Sequence, residues 1–342
     1  MSRLAPSLHR PSPCAALDAL VGSTPLLEIR LRLDGRPFRV FAKYESMNMT
    51  GSVKDRMAAH VMRRGYERGE LEPGDLIAEC SSGNTGISFA ALGKALGHPV
   101  RIFMPDWMSP ERRMLIEAFG AEVVGISREQ GGFLGGVAAA QRCKAESKRV
   151  FLPRQFDNVD NVEAHELGTG EEIVDQLARL GLRADAFVAG VGTGGTVMGV
   201  GRRLRRGNPK CRVHALEPAS SPTLRTGRCV GRHRIQGISD EFVPSIVHLD
   251  ELDHVVDAHD GDAILMAQKM ARKLGLAVGI SSGANVVGAI QLAEELGSDA
   301  VVVTVLPDSN KKYLSTDLCR AEPAREDYWT PRVVLESFAA LR

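Results

Sequence analysis

The chain has 342 residues, 44% of them hydrophobic, which is enough for one large domain or two ordinary domains with cores of their own. Its formal net charge of +1 creates no overall field that would attract nucleic acid or an anionic membrane. No apolar run approaches the ~20 residues that a membrane-spanning helix needs. The six cysteines form no C-x-x-C pair, which favours a reducing cytoplasm over a disulfide framework or a metal site.

Short β-branched runs alternate with amphipathic segments along the first half of the chain. We predict strands at residues 40–43, 75–80, 100–104, 122–124 and 149–152, and helices at residues 52–68, 87–96, 110–119 and 133–147. Gly69 is placed to end the first helix. Such alternation predicts parallel sheets that are covered by helices on both faces.

The second half of the chain repeats this pattern. We predict strands at residues 184–191, 212–217, 254–256 and 300–306, and helices from residue 196, at 260–273 and at 285–296. Thr330-Pro331 is typical of a helix start, so we predict a C-terminal helix within an extension over residues 321–342.

Three motifs of small residues stand out along the chain. The first, Gly51-Ser52-Val53-Lys54, presents a lysine whose amine can form a Schiff base with an aldehyde. The second, Ser81-Ser82-Gly83-Asn84-Thr85, is a polar loop that follows a predicted strand. The third, Gly192-Thr193-Gly194-Gly195-Thr196, follows a strand and opens a helix, where backbone N–H groups favour an anion. Together, the three motifs predict a pyridoxal phosphate site.

The third motif has a second interpretation. Residues 190–195 also match the dinucleotide pattern G-x-G-x-x-G, and Glu217 follows at a plausible distance for a ribose contact. On this motif alone, an NAD-dependent oxidoreductase is a genuine rival.

Together, the motifs resemble the fold type II family of pyridoxal phosphate enzymes, in its cysteine synthase and cystathionine β-synthase branch. The resemblance runs from about residue 20 to residue 316, from Gly22-Ser23-Thr24-Pro25-Leu26 to Pro307-Asp308-Ser309. It implies a tryptophan synthase β-like α/β fold, with two three-layer α/β/α domains and mostly parallel sheets. Residues 1–48 and 155–320 would form the large cofactor-binding domain, and residues 49–154 the small domain.

The resemblance also implies a role for each site residue. Lys54 would hold the pyridoxal 5'-phosphate and then move the substrate's α-proton, while Asp55 and Arg56 form a structural pair. The cofactor would be bound by Asn84 at its ring oxygen, Ser281 at its pyridine nitrogen and Gly192, Thr193, Gly194, Gly195 and Thr196 at its phosphate. The substrate carboxylate would be bound by Ser81, Ser82, Thr85 and Gln155. The sequence also predicts that Ser281 caps a helix that starts at Ala284.

The implied reaction is β-replacement on an activated serine, O-acetylserine, with sulfide to give L-cysteine through an α-aminoacrylate intermediate. Asp240 and Glu241 stand where simple cysteine synthases carry small neutral residues, and residues 131–135 depart from the commoner Gly-Met-Lys-Gly. The donor and nucleophile therefore stay open, with cystathionine β-synthase, S-sulfocysteine synthase and 2,3-diaminopropionate synthase as alternatives. The resemblance further implies a cytoplasmic homodimer of amino-acid biosynthesis, and it leaves a serine acetyltransferase partner open.

Overall fold

Two β-sheets with helices around them form the framework of the protein, in a computed structural model that describes residues 13–239 and 241–342. The strands are β1 Leu26–Leu33, β2 Arg36–Tyr44, β3 Leu76–Cys80, β4 Val100–Pro105, β5 Glu122–Ile126, β6 Val150–Phe151, β7 Ala186–Gly190, β8 Arg212–Pro218, β9 Val256–Ala258, β10 Val302–Leu306 and β11 Val333–Leu341. The helices are α1 Lys54–Arg68, α2 Asn84–Ala95, α3 Pro110–Ala118, α4 Gly132–Glu146, α5 Val159–Ala164, α6 Glu171–Ala178, α7 Gly195–Gly207, α8 Thr223–Thr226, α9 Asp260–Leu274 and α10 Ile280–Leu296, with a π-helix at His165–Gly170. Among the described helices, none has the length and apolar character to cross a membrane.

The larger sheet has the strand order β11-β1-β2-β10-β7-β8-β9. From β2 to β9 its neighbouring strands run parallel, so their carboxyl ends meet at one edge. All five residues of β10 are buried, as expected for a strand with helices on both faces. One face packs on α9 and α10, and the other packs on α7 and its neighbours. This confirms the predicted α/β architecture.

The smaller sheet has the order β5-β4-β3-β6, and all its pairings are parallel. Its core joins apolar side chains of α1 and α2, such as Met57 and Phe89, to Ile77 and Ile102 of the strands. All four strands lie between residues 76 and 151. The division of the chain into domains at residues 49 and 154 stays a prediction.

The predicted C-terminal helix is wrong, because residues 333–341 form strand β11. It pairs antiparallel with β1, from Leu33 opposite Val333 to Leu26 opposite Leu341. Val333 and Leu335 are buried while Val334 and Glu336 are exposed, which is the two-residue period of a strand. Thr330 and Pro331 instead begin a single 3₁₀ turn, Thr330–Arg332. Strand β11 thereby covers the backbone edge that β1 would otherwise expose.

Candidate active site

The predicted site residues come together where the carboxyl ends of β3, β7 and β10 face the start of α1. One cavity there is lined by Lys54, Ser81, Ser82, Asn84, Thr85, Gln155, Gly192, Thr193, Gly194, Thr196 and Ser281. Gly195 is the predicted residue that does not line it. The Lys54 loop is held against the end of β10, because the Val53 N–H donates to the Pro307 carbonyl at 2.8 Å. Clefts outside the strand ends of parallel sheets are the usual ligand sites of such folds.

The charge of this cavity favours an anionic ligand. Lys54 and Arg112 are the cations in its lining, and no carboxylate lines it among the residues that the structure describes. A pocket with two positive groups and no described acid suits a ligand that carries phosphate and carboxylate groups.

Three glycines of the phosphate loop lie too close to their neighbours to carry a side chain. A Cβ on Gly192 would lie 2.4 Å from the Gly237 carbonyl oxygen, and one on Gly195 would lie 2.0 Å from the Asn161 Oδ1. Gly194 has a φ of +89°, and a Cβ there would lie 2.1 Å from the Val247 Cγ2. The loop therefore presents backbone to the cavity just before α7 begins, an arrangement that fits a phosphate group.

The side chain of Thr193 is oriented by a neighbour. Its Oγ1 accepts a hydrogen bond from the Asn161 Nδ2 at 2.9 Å. Since the oxygen is occupied as an acceptor, the hydroxyl hydrogen can be donated into the cavity. The same Asn161 amide donates to the Gln155 carbonyl at 2.8 Å, so it links the phosphate loop to the loop that carries Gln155.

We expect Gly194→Ala to release the cofactor, because the new Cβ meets Val247 and the backbone has a left-handed φ. The control is Gly181→Ala, since Gly181 has a φ of +70° and nothing within 4 Å of the added atom. Gly181→Ala should cost about 1 kcal/mol of unfolding free energy and leave cofactor content unchanged. Both contents are measured by absorbance after dialysis, and full retention in Gly194→Ala would place the phosphate elsewhere.

Two hydroxyl groups of the polar loop after β3, those of Ser81 and Thr85, already make hydrogen bonds within the protein. Ser81 Oγ accepts from the N–H groups of Gly83 at 3.1 Å and Gly86 at 2.9 Å, so it also orders the start of α2. The Thr85 hydroxyl donates to the Gln155 Oε1 at 2.6 Å. The donors left for a carboxylate are the backbone N–H groups of this loop, the hydroxyl hydrogens of Ser81 and Ser82, and the second N–H of the Gln155 amide. The first N–H of that amide donates to the Cys80 carbonyl at 2.8 Å.

A buried glutamate supports this loop from behind. Glu79 accepts the N–H of Cys80 at 2.9 Å and the N–H of Gln155 at 3.2 Å. Burial raises the pKa of Glu79 to about 7, although these backbone donors act in the opposite direction. Glu79 thus ties Cys80, the last residue of β3, to Gln155, which lines the cavity.

The pH dependence of stability should report this carboxyl group. Between its ordinary pKa of 4.5 and about 7, the native state keeps a proton that the unfolded state has released. The unfolding free energy of the wild type, relative to Glu79→Gln, should therefore fall by on the order of 3 kcal/mol as the pH rises across that window. Urea denaturation at several pH values measures the difference, with Glu70→Gln, at an exposed position, as the surface control. A flat or rising difference would contradict the assignment.

Two of the predicted interpretations are corrected by the geometry. Ser281 is not a cap before Ala284, because α10 already begins at Ile280 after an N-cap at Gly279. Ser281 lies in the first turn and lines the cavity, as its predicted contact with the cofactor ring requires. Asp55 and Arg56 are not a pair with each other: Asp55 accepts from Thr50 and Ser88, whereas Arg56 binds two other acids.

The ribose contact that a dinucleotide would need has no support in the structure. Glu217 is buried, and its carboxylate accepts the Leu224 N–H at 2.7 Å and the Arg225 Nε at 2.6 Å. It does not line the cavity.

Asp240 and Glu241 are the acids that leave the nucleophile open in the sequence. Asp240 lies outside the described residues, and Glu241 is exposed and does not line the cavity. The departure at residues 131–135 does matter, because Phe133 lines the cavity and packs edge-on against Phe156 with ring centroids 5.5 Å apart. Phe242 also packs edge-on against Phe156, with ring centroids 5.1 Å apart.

Sequence reasoning missed several residues at the site. Arg112 is buried, lines the cavity, and holds its guanidinium 5.2 Å from the ring centroid of Tyr313, which lines it too. His165, in the π-helix, faces the Thr196 hydroxyl at 3.3 Å. Burial, with the nearby charge of Lys54, lowers the pKa of His165 to about 3, so this imidazole is neutral at neutral pH. Within the described ranges, no group of three or more His, Cys, Asp or Glu side chains is arranged for a metal ion.

Comparison with known proteins points in the same direction as the geometry. The family model described as "Pyridoxal-phosphate dependent enzyme" matches residues 17–308. The chain is 40% identical over 306 residues to the cysteine synthase of Staphylococcus aureus (strain N315), covering 90% of this chain and 97% of that protein.

Two solved structures are similar over most of their length. A hydrogen sulfide-producing enzyme from Fusobacterium nucleatum is 52% identical with a TM-score of 0.94, and the match covers 96% of this chain and 98% of that one. A variant of that enzyme has been solved in complex with an α-aminoacrylate intermediate. The cysteine synthase of Entamoeba histolytica is 31% identical with a TM-score of 0.82, and the match covers 95% of both chains.

Proposed function

The chain belongs to the family of pyridoxal-phosphate dependent enzymes, and we propose that it makes L-cysteine from O-acetylserine and sulfide by β-replacement. It depends on pyridoxal 5'-phosphate, as its family does. One observation carries the proposal: Lys54 shares a cavity with both the glycine-threonine loop and the polar loop after β3. The similarity to cysteine synthases over 90% of the chain supports the same reaction.

One group of cavity residues would bind the cofactor, and another would bind the substrate. When bound, pyridoxal 5'-phosphate supplies an aldehyde for covalent attachment and a ring that accepts electrons from the substrate's Cα. Gly192, Gly194 and Thr193 would hold its phosphate through backbone N–H groups and a hydroxyl. Ser281 would face the ring nitrogen, and a hydroxyl there leaves that nitrogen neutral.

Lys54 then has two tasks. Its amine anchors the cofactor, and once the amino acid has taken that place the amine removes the proton from the substrate's Cα. Acetate leaves from Cβ with the electrons of its C–O bond, hydrosulfide adds to Cβ, and Lys54 returns a proton to Cα. Gln155 and the N–H groups of the Ser81 loop would hold the substrate carboxylate, and the apolar ring of Phe133 would exclude water from its part of the cavity.

A second candidate function uses the same cavity with cysteine as the donor. The 52% identity to a hydrogen sulfide-producing enzyme favours it. In that case Lys54 removes the α-proton of cysteine, hydrosulfide leaves from Cβ, and another nucleophile with its proton takes the vacated position. Both reactions require the same residues. They differ in the leaving group and the nucleophile that the cavity accepts.

A product assay decides between these functions. The holoenzyme is incubated with O-acetylserine, O-phosphoserine or serine, each with sulfide, homocysteine, thiosulfate or an amine, and separately with cysteine alone or with a second nucleophile. Cysteine as the main product from O-acetylserine and sulfide would support the proposal. Faster release of sulfide from cysteine would favour the second candidate, and turnover of none of these donors would refute both.

We propose that the enzyme acts in the cytoplasm as a homodimer in amino-acid biosynthesis, on small molecules without nucleic acid. The six cysteines all lie in the described residues and form no disulfide, which is typical of a reducing compartment. Analytical ultracentrifugation of the purified protein measures the oligomeric state. The same measurement with an added serine acetyltransferase tests for that partner.

A further inference from the structure

A buried lysine that the reaction does not use lies directly behind the cavity. Lys312 is 3% exposed, and its Nζ donates to the Asn84 Oδ1 at 2.8 Å. The Asn84 Nδ2 donates to the Asp308 Oδ2 at 2.8 Å, and that oxygen also accepts the Tyr313 hydroxyl at 2.5 Å. These four residues, Asn84, Asp308, Lys312 and Tyr313, are called the Asn84 clamp below.

The clamp determines which end of the Asn84 amide faces which neighbour. The two ends have nearly the same shape, so packing alone distinguishes them poorly. With an ammonium group on one side and a carboxylate on the other, the flipped amide would turn its N–H groups toward Lys312 and its oxygen toward Asp308. Both contacts would then be repulsive, so the observed orientation is fixed.

The fixed orientation leaves a hydrogen-bond donor for the cavity. The amide nitrogen carries two N–H groups, and Asp308 accepts one of them. Asn84 lines the cavity, so the second N–H is the group that the amide can offer to a ligand there. The amide oxygen cannot take that place while Lys312 holds it.

The segment that carries Asp308 and Lys312 also contacts the other parts of the site. Ser52 bridges to Asp308 beside the Lys54 loop, and the Gly279 N–H donates to the Asp308 carbonyl at 3.1 Å just before α10. A substitution of Lys312 can therefore affect the cofactor site, although Lys312 itself does not line the cavity.

We propose that Lys312 is a positioning residue that acts through the Asn84 amide and keeps an N–H directed at the ring oxygen of the cofactor. The proposal rests on the proposed function and on the predicted contact of Asn84 with that oxygen. An oxygen that accepts this hydrogen bond keeps its negative charge, which affects the electrons of the whole ring. Lys312 thus influences the cofactor without touching it.

The test is a double-mutant cycle on the holoenzyme, with release of pyridoxal 5'-phosphate and the absorbance maximum of the bound cofactor as readouts. Lys312→Met should raise the dissociation constant roughly 10-fold, since a charged hydrogen bond is lost, and should shift the absorbance maximum. Lys312→Arg should restore both. Lys311→Met, one residue earlier and exposed, is the matched control and should change neither.

The cycle separates action through Asn84 from a general loss of structure. If Lys312 acts through the amide, adding Lys312→Met to Asn84→Ala should have little further effect on the dissociation constant. A full additional loss in the double variant, or an unchanged spectrum in Lys312→Met, would overturn the proposal. If Lys312→Met does not fold, Lys312→Gln takes its place in the same cycle. A wild-type protein that binds no pyridoxal 5'-phosphate would instead refute the proposed function.

Discussion

Lys54→Ala is expected to lose cysteine formation by at least about 10²–10⁴-fold, the usual contribution of a positioned acid–base group. The variant removes the amine that anchors the cofactor as well as the base that moves the α-proton. The protein should still fold, because Lys54 is the first residue of α1 and its side chain reaches the cavity rather than the apolar core. Initial rates of cysteine formation and circular dichroism of the same sample measure the two effects.

Lys311→Ala is the control for this experiment, because Lys311 is an exposed lysine that does not line the cavity. It should keep wild-type activity. Activity of Lys54→Ala close to that of the wild type would contradict the assignment of Lys54. If Lys54→Ala does not fold, Lys54→Arg replaces it in the experiment, because arginine keeps the positive charge but cannot form the same covalent link. Cysteine formation by Lys54→Arg would also contradict the assignment.

Arg56→Leu is expected to lower the free energy of unfolding by about 3–5 kcal/mol, the usual cost of leaving a buried charge without its partner. The Arg56 guanidinium binds the Glu45 carboxylate at 2.6 Å and the Glu172 carboxylate at 2.7 Å, and the Glu45 side chain is fully buried. Burial alone would raise the pKa of Glu172, but the hydrogen bond and charge of Arg56 lower it to about 2. Urea denaturation followed by circular dichroism measures the loss.

Arg63→Leu provides the comparison, since Arg63 lies on the same helix and pairs with Asp18 at the surface. Exposed ion pairs contribute about 0.2–1 kcal/mol, so this variant should differ little from the wild type. If both variants lost similar amounts, the network around Arg56 would not be the source of the stability.

Much of the fold could be predicted because its strands and helices have clear periods and glycine signals. Helix α1 ends at Gly69 as predicted, where the residue adopts a left-handed φ of 67°. The strand over residues 333–341 was mistaken for a helix because Thr330-Pro331 favours a helix start and the apolar residues that follow do not alternate with polar ones. Strand β1 and the helices between residues 159 and 178 were not predicted at all.

The site was more predictable where residues act locally than where distant residues meet. The glycines of the phosphate loop are required by their own backbone and by close neighbours, so a short motif reveals them. Arg112 and Lys312 act through partners on other elements, Tyr313 and Asn84, which are far away in the sequence. No local pattern distinguishes a buried, paired Lys312 from the exposed Lys311 beside it.

Strand β11 also has a consequence for the order in which the molecule can be completed during its synthesis. Strand β1 leaves the ribosome well before its partner β11, because about 300 residues of chain lie between them. Throughout that interval one backbone edge of the larger sheet has no native partner, and unpaired edges of this kind promote association between chains. The pairing also joins residues that are about 300 positions apart, and contacts of such long sequence separation slow folding. The nine-residue strand β11 therefore ends the interval in which this edge of β1 is unpaired.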